Sequence, residues 1–308
     1  MNKTQPEAAT IAQAPQHSQT QLPPAWDWPE LLAVYMLSQI VHSVGVYGLL
    51  ASGVLARVYG TERVTATPLP ALDATRFGLW SVVVAFPMQL ALTLVLLWHT
   101  QRVTLAQLGV PGSSSIGRQL REAAVLGLLF IPLVYGIYAV SLIGNEQLGV
   151  PSSEHSFTQL ARQGLSSTEA VLLALAACVV APIWEELLFR GLIQPWVLAR
   201  GGQAQLVVLA LAIAVGLLHG RVPAISAAVA AALTIAWPAS WRGMYGVAVL
   251  FAFVHAAAWP SPIPLLVLGL VLGWLARRGG LIGPIALHAG FNAVGCLELF
   301  VSFLPKLS

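Results

Sequence analysis

Three short segments of an otherwise apolar chain carry side chains able to do chemistry. The first is Glu185-Glu186 with Arg190, inside Ala181-Pro182-Ile183-Trp184-Glu185-Glu186-Leu187-Leu188-Phe189-Arg190. On a helix, Glu186 and Arg190 lie one turn apart on one face, in the favourable acid-before-base order. Glu185 sits about 100° around the axis from Glu186, so it belongs less to that pair. The spacing suggests a division of labour, in which Glu186 and Arg190 neutralise one another and Glu185 projects into a cavity as a general base. A buried ionic network of all three, locking helices together, accounts for the same spacing equally well. The second segment holds His288 and Asn292, again one turn apart. A ring N–H and an amide NH₂ on one face can converge on a developing oxyanion. Taken alone, the pair fits interhelical hydrogen bonding better. The third segment pairs Phe251 with His255 on one face. The solitary His219 and His42 read as packing residues, and Glu298 as either a cavity residue or a pairing partner.

The elements that must position these groups are membrane helices. The chain has 308 residues, of which 57% are hydrophobic, with only 15 Lys+Arg and 12 Asp+Glu and a mean hydropathy of +0.78. A soluble domain is near a quarter charged. The balance excludes a disordered chain, a secreted disulfide scaffold and an ordinary cytosolic enzyme. The net charge of +3 is spread singly, Arg277-Arg278 being its densest point, so no basic stripe points to nucleic acid. Cys178 and Cys296 lie in apolar runs without a CxxC and read as small packing residues.

A span needs about 20 mostly apolar residues. By that measure residues 31–55, 78–98, 120–143 and 170–198 are the first four spans, with further runs near 204–219, 222–238, 243–258, 263–276 and 281–303. The expected fold is all-α, a multi-pass transmembrane helical bundle of about eight to nine spans. Pro260, Pro262 and Pro264 crowd the connection after His255 and suit a helix start. Residues 1–30 read as a disordered polar tail ending at Trp26-Asp27-Trp28-Pro29, whose two tryptophans suit a membrane interface. The organisation is then a tail (1–30), about three spans in 31–167, and a core at 168–303 that carries the chemistry. A lone charge at the bilayer centre costs about 2.5–3.5 kcal/mol, so the polar groups should face a bundle interior or a cavity. Gly269, Gly273, Gly290 and Gly295 would let helices approach closely on one side of it.

In order, Glu185-Glu186-x-x-x-Arg190, Phe251-x-x-x-His255 and His288-x-x-x-Asn292 resemble the three-motif signature of the CPBP family. These are the CAAX prenyl endopeptidases and bacteriocin-processing (Abi) membrane proteases. The text from Glu185 to Leu198 and the glycine-rich segment Leu268 to Trp274 are similar as well. One departure is the long separation between Arg190 and His255, which reads as an inserted hairpin near 203–240. His255 is preferred over the nearer His219 because Phe251 precedes it at the required spacing, where His219 has Val215.

The resemblance implies an intramembrane endopeptidase. Glu185 would activate a water, His255 would orient it and shuttle its proton, and His288 with Asn292 would stabilise the oxyanion. Glu186, Arg190 and Phe251 would support the site. No cofactor is favoured, although Glu185, His255 and His288 could alternatively hold Zn²⁺. The expected partners are the lipid bilayer and a membrane-embedded, lipidated or leader-peptide protein substrate, with no nucleic acid. The expected location is integral to a bacterial cell (inner) membrane. The rival readings are a non-catalytic membrane scaffold or immunity-type protein and, less favoured, a proton-coupled transporter.

Overall fold

The structure, a computed structural model, describes residue 24, residues 26–110 and residues 113–303. Among these residues it is helical throughout, with no strand. That is what a lipid-immersed chain requires, because backbone N–H and C=O groups must pair within the segment. The architecture rests on α1 (Trp28–Ala51), α2 (Ala71–Gln101), α3 (Ser113–Gln147), α4 (Ser167–Arg200), α5 (Gly202–Leu218), α6 (Arg221–Leu233), α7 (Ala239–Phe253), α8 (Pro262–Gly279) and α9 (Ile282–Phe303). Short helices at Val54–Tyr59, Thr61–Val64 and Ser156–Arg162 occupy connections.

Six helices (α1, α2, α3, α4, α8 and α9) are long and apolar enough to cross a membrane. The count of about eight to nine spans includes α5, α6 and α7, which have 17, 13 and 15 residues. At 1.5 Å per residue these reach about 20–26 Å, short of a hydrocarbon core of about 30 Å. The shortening has local causes. Gly220, at a φ of 118°, turns the chain between α5 and α6, and Pro238 sits at the start of α7. As expected of its prolines, α8 opens at Pro262.

Most of the tail reading falls on residues 1–23 and 25, which lie outside the described residues. Just after them the chain is anchored. The Trp26 indole is buried and donates to the Leu192 carbonyl at 3.0 Å. Asp27 closes a capping box with Glu30 at the start of α1. It also accepts from the Trp196 indole at 2.6 Å and pairs with Arg200 at 3.1 Å. The Trp196 hydrogen bond holds the Asp27 carboxyl below its usual range. Of the two tryptophans expected at an interface, Trp28 is exposed and Trp26 is in the core.

The inner layer is α4, α7, α8 and α9. Helix α7 packs along α8, α3 covers α8 and α9, and α1 pairs with α2 on the outside. Helices α5 and α6 fold back on one another, with α5 against α7. Large apolar side chains such as Leu128, Val140, Leu206 and Ile225 remain exposed. On a lipid-facing surface they are already in a matching solvent.

Candidate active site

Helix α4 is wound irregularly around its two glutamates. Residues Ala176–Val180 and Leu187–Ile193 form π turns, with the α-helical stretch Ala181–Glu186 between them. Such widened turns recur at functional sites. The first has a cause in the sequence. The Ala181 N–H reaches back to the Ala176 carbonyl, and the next residue, Pro182, has no N–H to offer the Ala177 carbonyl. That carbonyl instead accepts from the Asn292 amide of α9 at 2.7 Å. A proline on one helix thus creates the acceptor by which an asparagine on another is held.

Glu186 and Arg190 point into the protein. Their side chains are both 0% exposed and pair at 2.9 Å. Burying two charges is offset only when their remaining atoms are well bonded. Here Arg190 also donates to the Gly269 carbonyl at 3.1 Å and lies 4.3 Å over the Phe251 ring, while its Nε and Glu186 Oε2 have no hydrogen-bond partner among the described residues. One turn on, Gln194 donates to the Gly273 carbonyl at 3.0 Å. Glu186, Arg190 and Gln194 therefore run as a polar stripe against the bare backbone of α8. The glycines are required: a Cβ on Gly269 would lie 3.1 Å from the Phe251 ring, and one on Gly273 would lie 2.7 Å from Gln194 Oε1. Gly295 likewise abuts the Tyr135 hydroxyl, while Gly290 has ordinary room.

His288 rests on this buried pair, its Nδ1 standing 2.8 Å from Glu186 Oε1. Its side chain is 4% exposed. His255, at the end of α7, sets Nδ1 2.8 Å from the Phe251 carbonyl. A carbonyl only accepts, and so does a carboxylate paired with arginine, so each Nδ1 must carry a proton. In the neutral rings both Nε2 atoms then present lone pairs. Both lone pairs face Glu185. Its Oε2 lies 3.7 Å from His255 Nε2 and 3.9 Å from His288 Nε2. Those separations exceed a direct hydrogen bond, and no group among the described residues bonds Glu185 Oε2. Three acceptor atoms that converge in this way leave a place for something that brings protons or positive charge. Phe251 fixes the angle between the rings, lying edge-on to His255 and His288 with centroids 5.2 and 5.7 Å away.

The donor types, one carboxylate and two imidazoles each braced through Nδ1, are those that catalytic zinc takes. The spacing is wider than the roughly 3.4 Å edge of a tetrahedron with bonds of about 2.0–2.1 Å. Among the described residues no group of three His, Cys, Asp or Glu side chains stands ready as a metal cage.

The structure therefore gathers Glu185, His255 and His288 at one point, with Glu186, Arg190 and Phe251 beneath them. Asn292 lies one turn beyond His288 with one amide proton committed to Ala177. His219 is exposed at the end of α5, and Glu298 is exposed on α9. The His42 side chain is half-buried, and its backbone carbonyl accepts from Ser81 at 2.8 Å. Two contributors go unread in the sequence. Gln194 extends the stripe one turn past Arg190, a spacing that signals it. Ser153, in an exposed loop, clamps the turn after His255: its hydroxyl donates to the Ala257 carbonyl at 2.7 Å and accepts from the Trp259 N–H at 2.8 Å. No pattern in the sequence marks it.

The family model of type II CAAX prenyl endopeptidase, Rce1-like, matches residues 167–244 and 231–294. The matched region is residues 167–294, less than half of the chain, and it is similar to that family. It begins at the first residue of α4 and ends two residues past Asn292. The first matched stretch contains Glu185, Glu186 and Arg190, and the second contains Phe251, His255, His288 and Asn292. The Rce1-like family is one of peptide hydrolases, and its match together with the apolar helices makes this an integral membrane protein. No curated protein and no solved structure matches the chain.

Proposed function

We propose that this protein is an intramembrane endopeptidase of the CPBP type, hydrolysing a peptide bond in a membrane-associated protein. The observation that carries the reading is the convergence of Glu185 Oε2 with two bare Nε2 atoms, at 3.7 and 3.9 Å. A water between them donates to Glu185 and to His255 Nε2, leaving an oxygen lone pair free to attack a carbonyl carbon. Glu185 takes a proton from the water and hands it to His255 Nε2, which passes it to the nitrogen of the leaving amine as the C–N bond breaks. His288 donates to the oxyanion from Nε2 in the form that has taken a second proton from solvent before the water attacks, with Glu186 holding the other side of the ring. Asn292 retains a second amide N–H for the same oxyanion. Glu186, Arg190 and Phe251 keep the two imidazoles in register.

A second reading rests on the same atoms. Glu185, His255 and His288 would hold Zn²⁺, which when bound supplies a more acidic water and polarises the carbonyl. The His288–Glu186 and His255–Phe251 contacts are the supports that such ligands use. The substrate class that suits a site inside apolar helices is a membrane segment, a lipidated tail or a leader peptide, in a bacterial inner membrane. Counting α5, α6 and α7 as crossings would restore a bundle of about eight to nine spans.

The test is cleavage of a membrane-tethered peptide by the protein reconstituted in liposomes. Wild type and His219→Ala cleave, whereas His255→Ala falls by at least 100-fold with unchanged abundance. Cleavage that survives His255→Ala rejects the proposed chemistry, and absence of cleavage by wild type favours a scaffold. Loss of cleavage after strong chelation, with recovery on adding zinc, selects the metal version.

A further inference from the structure

We propose that Cys178 and Cys296 form an oxidative modification site, a thiol pair that a lipid hydroperoxide converts into a disulfide joining α4 to α9. Both thiols are free, and their Sγ atoms stand 3.7 Å apart, in contact across the helix interface. A disulfide needs about 2.05 Å, so the sulfurs must close by roughly 1.7 Å. The two positions are already held in register. Ala177, the neighbour of Cys178, receives the Asn292 amide one turn before Cys296.

The two cysteines differ in access, as an attacking and a resolving thiol should. Cys178 is half-buried and adjoins a stripe of exposed apolar residues (Val171, Leu175 and Val179) on a membrane-spanning helix. An oxidant dissolved in hydrocarbon meets it there. Cys296 is buried behind it.

In the first step the Cys178 sulfur attacks the peroxide. The O–O bond breaks, the sulfur becomes a sulfenic acid and the lipid leaves as an alcohol. In the second step Cys296 displaces hydroxide from that sulfenic sulfur, the S–S bond forms and water departs. In sum, two thiols and one hydroperoxide give one disulfide, one lipid alcohol and one water. The bridge would lie two turns from Glu185 on α4 and from His288 on α9, tying together the two helices that bear them.

The experiment treats the full chain in liposomes with a phospholipid hydroperoxide and maps its peptides without reduction. The expected product is one intrachain Cys178–Cys296 cross-link, reversed by dithiothreitol and absent in Cys178→Ser and Cys296→Ser. The oxidised wild type should melt several degrees higher than the reduced form, because the bridge closes a long loop. Three results would overturn the proposal: oxidation that stops at Cys178 sulfenic or sulfinic acid, dimers linked through Cys178, or no reaction under conditions that oxidise the denatured chain. These readouts are of sulfur chemistry alone, so they stand or fall independently of peptide cleavage.

Discussion

Glu185 and Glu186 are adjacent in sequence, and their replacement by glutamine should have opposite consequences. Glu186 Oε1 receives Arg190 at 2.9 Å and His288 at 2.8 Å, with the Glu186 and Arg190 side chains fully enclosed. Glu186→Gln removes the charge and leaves a buried guanidinium without its paired carboxylate, facing a neutral amide, the Gly269 carbonyl and the Phe251 ring. Breaking one side of such a pair costs about 3–5 kcal/mol. Glu185 is 22% exposed, and its Oε2 has no hydrogen-bond partner among the described residues. Glu185→Gln, nearly the same in shape, should alter stability by no more than about 0.5 kcal/mol. On the proposed chemistry it removes the base, lowering the rate by about 10²–10⁴. The assay is a pair of measurements on each purified variant: a thermal melt in detergent, and cleavage of a tethered peptide in liposomes. Glu185→Gln should melt with wild type and be inactive, while Glu186→Gln should melt well below it. If Glu185→Gln is as destabilised as Glu186→Gln, the three charges form one structural network and the division of labour is refuted.

Gly273→Ala should destabilise by about 1–3 kcal/mol, since its Cβ would meet Gln194 Oε1 at 2.7 Å and Met244 Cγ at 2.8 Å; an unchanged melting curve contradicts the close packing. Ser153→Ala removes both hydroxyl bonds to the turn after His255 and should cut kcat about tenfold with little change in KM, with Ser153→Thr restoring it. Asp27 contributes stability while ionised. Because its folded carboxyl titrates below the usual 3.8, that contribution is whole at neutral pH and is lost as pH falls through the lowered value. Limited proteolysis near residue 26 should accelerate under acid in wild type, and Asp27→Asn should flatten that dependence.

Much of the site's layout is legible from single-turn spacings. Glu186 with Arg190, Phe251 with His255 and His288 with Asn292 each share a helix face, and polar groups in apolar runs must turn inward. That two histidines from different helices meet Glu185 follows from no spacing, since it depends on how α7 and α9 cross α4. The number of full-length helices is less legible. An apolar run shows composition, whereas helix length also depends on where Gly220 and Pro238 interrupt the winding. The π turns are hidden as well, although Pro182 and Pro195, each two residues beyond one of them, mark where they end. Trp26 reads as interfacial because an indole suits that depth. The Leu192 carbonyl that captures it becomes visible only when α4 is laid beside the chain's start.

The widened winding of α4 has a consequence for how this helix tolerates change in length. A π turn accommodates about one residue more than an α turn over the same rise. Deleting one residue from 176–180 would let that stretch relax to ordinary winding without shortening the rod. Side chains beyond it would keep nearly the direction they have now, because the wide turn has already taken up the extra residue. Deleting one residue between 181 and 184, where the winding is ordinary, would instead turn Glu185 by about 100° against the end that bears Val171. The loss of one codon is thus absorbed in the run of Ala, Cys and Val and disarms the centre a few residues later.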